Sequence, residues 1–409
     1  MKNMGEYINK CKDKNIRLND IFFWVITIDI FFLPYLSFVA ISVSVLIVAL
    51  WMLINIRRIS ETKEHSLFVI MAIFMLLGTI MNLFYSGTMR YGSTSFVSAI
   101  KRFFQYIFCF ETYFFYKDYF LEHHVKISRI IFIAILYMTI FAIMFKLFPY
   151  EYATLKLSIN PADNHTRRYL ANEIHYRFNY LWTDPNNISY LVAGLMTWML
   201  SRKDISLIKK MIVVIASIFT AFCTVSNSGI ITLLLMGLFI LLHSFYNSTR
   251  NGIDSKTVIE CIAIIVLLFV TFEMTDLKNI IENNYISLFV DRINDYSSAG
   301  SISGGRLEDV ISSLGYLSPI MLFIGTGNEG FVSEIGHIYW IGMYGFPAYV
   351  IFMWIMFRKE KKLSIMQYIW VIPFFMAFTM NIAIGEYKWL AIYLMLLAYS
   401  RYGDYRYIE

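Results

Sequence analysis

Apolar residues along this chain gather in long runs separated by short polar breaks, from residue 21 to residue 401. Most runs hold about 17–22 residues, enough for a helix to cross roughly 30 Å of hydrocarbon. The pattern predicts twelve spans, over residues 21–36, 38–56, 66–86, 94–115, 129–148, 186–201, 208–225, 228–244, 257–273, 337–357, 364–383 and 387–401. A transmembrane barrel would instead show segments of about ten residues alternating in polarity. The expected fold is therefore all-α: a polytopic integral membrane protein of about 12 transmembrane helices, forming a single membrane domain over residues 1–409. Pro34 and Gly87 mark tight turns, and the SNSG break at 226–229 splits one long apolar run into two spans.

Composition agrees with that pattern. The chain is 58% hydrophobic and 16% charged, whereas a soluble domain is roughly a quarter charged. Its first 20 residues are polar and no small-residue cleavage site follows the first apolar run, so no cleavable signal peptide is expected. Cys11, Cys109, Cys223 and Cys261 lie in apolar spans or in the basic N-terminal tail. That distribution predicts no disulfide framework, and no spacing predicts a metal site.

Charge sets an expected orientation. The groups KNIR, NIRRISETK, YKDYFLEHHVKISR, SRKDISLIKK, FRKEKK and RYGDYR all fall on one side of the twelve-span arrangement. Lysine and arginine concentrate on the cytoplasmic side of membrane proteins, so both termini are expected there. The net charge of +6 then reflects topology and predicts no nucleic-acid partner. Most of the remaining basic residues occupy two long outer segments, 149–185 and 274–336. Loops this long are uncommon between packed spans unless they serve a function.

Those segments hold the candidate chemistry. Arg167, Arg168 and Arg177 accompany His165, His175, Tyr176 and Tyr180 in the first. Guanidinium groups suit phosphate, and aromatic rings suit the apolar faces of sugars. The plainer reading pairs these arginines with Glu173 and Asp184, and treats Asp184 as the N-cap of the next span. In the second segment Arg306 follows a glycine turn at the start of a short amphipathic helix predicted over 307–317; its plainer partners are Glu308 and Asp309. GTGNEG at 325–330 lacks the lysine of a nucleotide loop and reads as a turn back towards the membrane. His337 opens the next apolar run, where a helix N-terminus keeps an imidazole neutral and able to accept a proton; otherwise it is an interfacial anchor. Lys101 and Arg102 lie inside the fourth run, where charges must face the protein interior or a watery cavity. There they either meet a lipid-linked phosphate or pair with Asp29. Glu386 is expected to pair with Lys388.

These features resemble the O-antigen polymerase and O-antigen ligase superfamily of bacterial envelope glycosyltransferases. The resemblance covers the whole topology and is sharpest over 303–345, where SGGR, IGTGNEG and GHIYWIGMYG follow one another; DPNNISYLVAGL and SNSGIITLLLMGL carry it more weakly. It implies a GT-C-like membrane fold and a metal-independent, cofactor-free transfer of glycan from undecaprenyl pyrophosphate at the outer face. Arg177 and Arg306, with Lys101 or Arg102, would hold the pyrophosphate. His337 would activate the acceptor hydroxyl, and Arg168, Tyr176, Tyr180 and Tyr339 would contact glycan. The implied activity is polymerisation of lipid-linked repeat units into O-antigen or capsule, with a chain-length regulator and a flippase as partners. A ligase acting on a lipid A core sugar is the alternative. A lipid-linked oligosaccharide flippase is a further one, disfavoured because no internal repeat stands out and the charges gather at the outer segments.

Overall fold

The computed structural model describes residues 18–35, 42–59, 63–85, 94–161, 163–173, 176–182, 184–202, 204–250, 311, 314–328, 335–360, 363–381 and 385–403. The described residues fold as helices joined by short turns. In chain order they are α1 (18–32), α2 (Val43–Ile59), α3 (Lys63–Tyr85), α4 (Phe96–Glu122), α5 (Ile127–Leu147), α6 (Pro149–Ile159), α7 (Asn164–Leu170), α8 (Pro185–Leu200), α9 (Leu207–Cys223) and α10 (Asn227–Arg250). There follow α11 (Pro319–Ile324), α12 (Gly336–Phe357), α13 (Ile365–Tyr368), α14 (Val371–Met380) and α15 (Tyr387–Ala398), the last closing in a π-turn over Tyr399–Gly403. The predicted run 257–273 lies outside the described residues. Each of the other eleven predicted runs coincides with helix, although 364–383 is divided between α13 and α14.

Burial orders the bundle. Every residue of α15 is buried, as is nearly all of α8, so these two apolar helices form its centre. α4 packs on α15, while α9, α10 and α14 pack on α8. The outer helices keep one apolar face uncovered: Leu46, Leu50 and Leu53 on α2, Ile133, Ile140 and Leu147 on α5, and Leu234, Leu238 and Leu242 on α10. Faces of this kind are a liability in water and at ease in hydrocarbon. Among the described residues, three helices are long and apolar enough to cross a membrane: Glu64–Tyr85, Ile127–Leu147 and Gly336–Phe357.

The third of these is not straight. Gly345 has φ 82° and ψ 162°, a conformation open to glycine. Across it, Trp340 stacks on Phe352 with ring centroids 4.3 Å apart. Residues twelve positions apart in a straight helix would be separated by about 18 Å. The two halves of α12 therefore meet at a sharp bend. Pro347 has no N–H to offer the Met343 carbonyl. That carbonyl instead accepts from Gly327 N at 2.9 Å, and the Gly342 carbonyl accepts from Thr326 N at 2.8 Å. The GTGN turn thus caps the broken helix. Thr326 and Asn328 are fully buried, and Asn82 of α3 holds the turn through the Gly327 carbonyl at 3.0 Å. Irregular backbone at membrane depth is tolerated where protein buries it.

The 149–185 segment, expected to be an outer loop, is among its described residues a packed helical cap. Lys156 of α6 and Asp163, the N-cap of α7, form a buried ion pair at 2.8 Å. The same ammonium donates to the Trp182 carbonyl at 2.7 Å, while Thr166 and Asn179 donate to the carboxylate. Burial alone would raise the Asp163 carboxyl, but Lys156 and the Thr166 bonds outweigh it and hold it below the ordinary range.

Candidate functional site

Two of the sequence-predicted residues, His337 and Arg177, reach the end of α14 through separate sets of hydrogen bonds. Gly336 lies directly on it: an added Cβ would come within 2.5 Å of the Phe378 carbonyl oxygen. This contact sets His337 against α14, with its ring edge-on to Phe378 at 4.4 Å. Both ring nitrogens are engaged, Nε2 with Thr379 Oγ1 at 3.0 Å and Nδ1 with the Tyr349 hydroxyl at 3.1 Å. The bend at Gly345 is what brings Tyr349 back to His337.

Two residues beyond Thr379, Asn381 donates to Asp184 Oδ2 at 2.7 Å and to Asn187 Oδ1 at 2.9 Å. Asp184 also caps α8, accepting from Asn186 N at 2.8 Å, as the plainer reading expected. Arg177 closes the group. Its Nη2 donates to Asn186 Oδ1 at 2.7 Å and its Nε to the Thr224 carbonyl at 3.0 Å, in the turn between α9 and α10. Both of these acceptors are neutral oxygens, and together they fix the orientation of the guanidinium. Half-buried His165 lies close by; burial first, and then the Arg177 charge, lower its pKa below the usual 6.5.

The remaining expected residues lie in varied surroundings. Arg306 lies outside the described residues. Arg102 donates to the Gly385 carbonyl at 3.2 Å, next to the start of α15, and Lys101 is exposed one residue before it. Asp29, considered as their partner, is instead paired with Lys388 at 3.0 Å, and both side chains are fully buried. Lys388 is free to reach it because it sits within an apolar helix, where its ammonium also caps the end of α1 through the Leu33 and Pro34 carbonyls. Glu386, expected to pair with Lys388, accepts from the Tyr35 hydroxyl. Arg168 pairs with Glu173 at 3.1 Å in the open.

The aromatic expectations divide. Tyr176 is partly buried and stacks on Tyr169 at 4.3 Å, with its hydroxyl against Thr166. Tyr180 does not offer a ring to a glycan: it is fully buried, and its hydroxyl donates to the Phe31 carbonyl at 2.7 Å. Tyr339 is likewise buried in the bundle. An aromatic residue in a polar segment packs inward when the segment itself folds as a cap.

Sequence reading missed Tyr349, Thr379 and Asn381. Asn381 had a visible signal, an amide at the end of an otherwise apolar run. Thr379 and Tyr349 had none, because hydroxyl groups are common in membrane helices. Among the described residues no three His, Cys, Asp or Glu side chains converge on a point that could hold a metal.

No family model matches this chain, and no curated protein or solved structure matches it either. Fold and apolar surface define its class: an all-helical protein whose apolar helices suit a membrane.

Proposed function

We propose that this protein polymerises lipid-pyrophosphate-linked glycan repeat units into a surface polysaccharide, at the membrane face opposite the cytoplasm. One observation carries the reading. Arg177 and His337, 160 positions apart in sequence, both connect to the C-terminal end of α14, Arg177 through Asn186, Asp184 and Asn381, and His337 through Thr379 two residues earlier. A glycosyl pyrophosphate already has a good leaving group. The protein must hold it, offset the growing negative charge and take a proton from the acceptor.

In this scheme Arg177 binds the donor pyrophosphate, joined by Arg306 and by Lys101 or Arg102. His337 serves as base for the acceptor hydroxyl. The cap over residues 149–182 lies beside the site, and its surface contacts the glycan.

The test is purified protein in nanodiscs supplied with undecaprenyl-pyrophosphate-linked repeat unit. Longer polymer is expected from the wild type. Arg177→Ala and His337→Ala are expected to reach normal membrane levels and form none. Failure of the wild type to extend the repeat unit sinks the reading. Transfer to a lipid A core acceptor in place of a second repeat unit would make the protein a ligase.

A further inference from the structure

We propose that His337 acts through Tyr349, whose phenol is the group that meets the acceptor hydroxyl. The inference rests on the glycosyl-transfer reading and follows from counting protons around the imidazole. Thr379 has one hydroxyl proton, and it is committed to the Phe375 carbonyl at 2.9 Å. Towards Nε2, 3.0 Å away, Thr379 can therefore only accept. Nε2 must carry the N–H. In the neutral ring the lone pair then sits on Nδ1, where the Tyr349 hydroxyl donates to it at 3.1 Å. This tautomer is assigned from the hydrogen-bond network.

The arrangement leaves no ring nitrogen open to a substrate. His337 is packed against Phe375 and Phe378, with Thr379 on one side and Tyr349 on the other. Tyr349 is half-buried and flanked by exposed Phe346 and Val350, so the ring lies at the edge of the bundle while its hydroxyl meets His337.

The step balances. The acceptor oxygen forms a bond to the anomeric carbon, and the bond from that carbon to the pyrophosphate oxygen breaks, its electron pair leaving with the diphosphate. The acceptor hydroxyl proton passes to Tyr349 Oη as the Tyr349 proton passes to His337 Nδ1. The imidazolium then returns its proton through the phenol to water. Thr379 is a positioning residue: it fixes which nitrogen faces the phenol.

Nanodisc assays with the lipid-linked repeat unit test the relay, together with nitrogen NMR of histidine-labelled protein in which His337→Gln identifies the signal. Tyr349→Phe keeps the ring and is expected to lower kcat about 100-fold with KM unchanged. Thr379→Val is expected to lower kcat at least ~10-fold and to give mixed tautomers, with Thr379→Ser restoring both. The His337 signal should report Nε2–H in the wild type and in Tyr349→Phe. Wild-type kcat in Tyr349→Phe overturns the relay and leaves the polymerase reading standing. A His337 signal reporting Nδ1–H overturns the relay whatever the activity. A wild type that makes no polymer overturns the polymerase reading and the relay with it.

Discussion

The two ends of the bundle hold their cations through different sets of partners. At the end formed by the start of α3 and the close of α4 and α15, cations meet carboxylates. Lys117 pairs with Glu64 at 3.1 Å and Arg358 with Glu360 at 2.6 Å, and the Tyr402 hydroxyl also donates to Glu64. At the end formed by the starts of α4, α8 and α15, Arg177 and Arg102 donate to carbonyl and amide oxygens. An ion pair neutralises, whereas a bond to a carbonyl aims the cation. Each end uses both kinds of contact: Arg401 donates to carbonyls at the first, and Lys156 pairs with Asp163 at the second.

Lys388 lies at the second end and is fully paired with Asp29. Its replacement gives the largest expected effect on stability. Lys388→Met strands the Asp29 carboxylate in the core and is expected to cost about 3–5 kcal/mol, read as a fall in apparent Tm in detergent. Adding Asp29→Asn should restore part of it. No loss of stability would mean that this pair, too, belongs to the site.

At the opposite end Arg401 is buried and donates to the Ile355 and Arg358 carbonyls, both at 3.0 Å. Arg401→Ala is expected to lower stability by about 1–3 kcal/mol while the surviving protein turns over normally. Lost turnover in a fully folded variant would tie this end of the bundle to the site as well.

The cap gives a smaller, pH-dependent effect. His165 titrates below 6.5 in the folded cap, chiefly because it is buried. The unfolded cap then binds more protons, so stability falls as pH drops through about 6.5. Hydrogen exchange across residues 163–182, corrected for the intrinsic rate, should show protection lost between pH 7.5 and 5.5, and His165→Asn should flatten the dependence. Least of all, Arg168→Ala breaks an exposed pair and is expected to change stability by under ~1 kcal/mol. A large loss of polymer from that variant would extend the site over the cap surface.

Much of the helix pattern was legible, because an apolar run can satisfy its backbone in hydrocarbon only by coiling. Boundaries such as the SNSG break between α9 and α10 were legible for the same reason. The bend in α12 was not, although Gly345 and Pro347 stand in plain view. Both residues are common in membrane helices, and only the stack of Trp340 on Phe352 shows how far the halves turn. The 149–185 segment read as a loop because its polar residues suggest water. Its Lys156–Asp163 pair shows that they largely satisfy one another instead.

Local sequence determined which residues become helix, which charges are rare enough to matter, and that Asp184 would cap α8. These are decided within a few turns of chain, by hydrophobic periodicity and by the backbone groups left open at helix ends. Tertiary structure alone decided the partners. Asp29 meets Lys388 and not Lys101 or Arg102, Tyr180 turns inward, and His337 gains Tyr349 and Thr379. Each of those contacts joins groups that are remote in the chain or separated by a bend, and only packing fixes such distances.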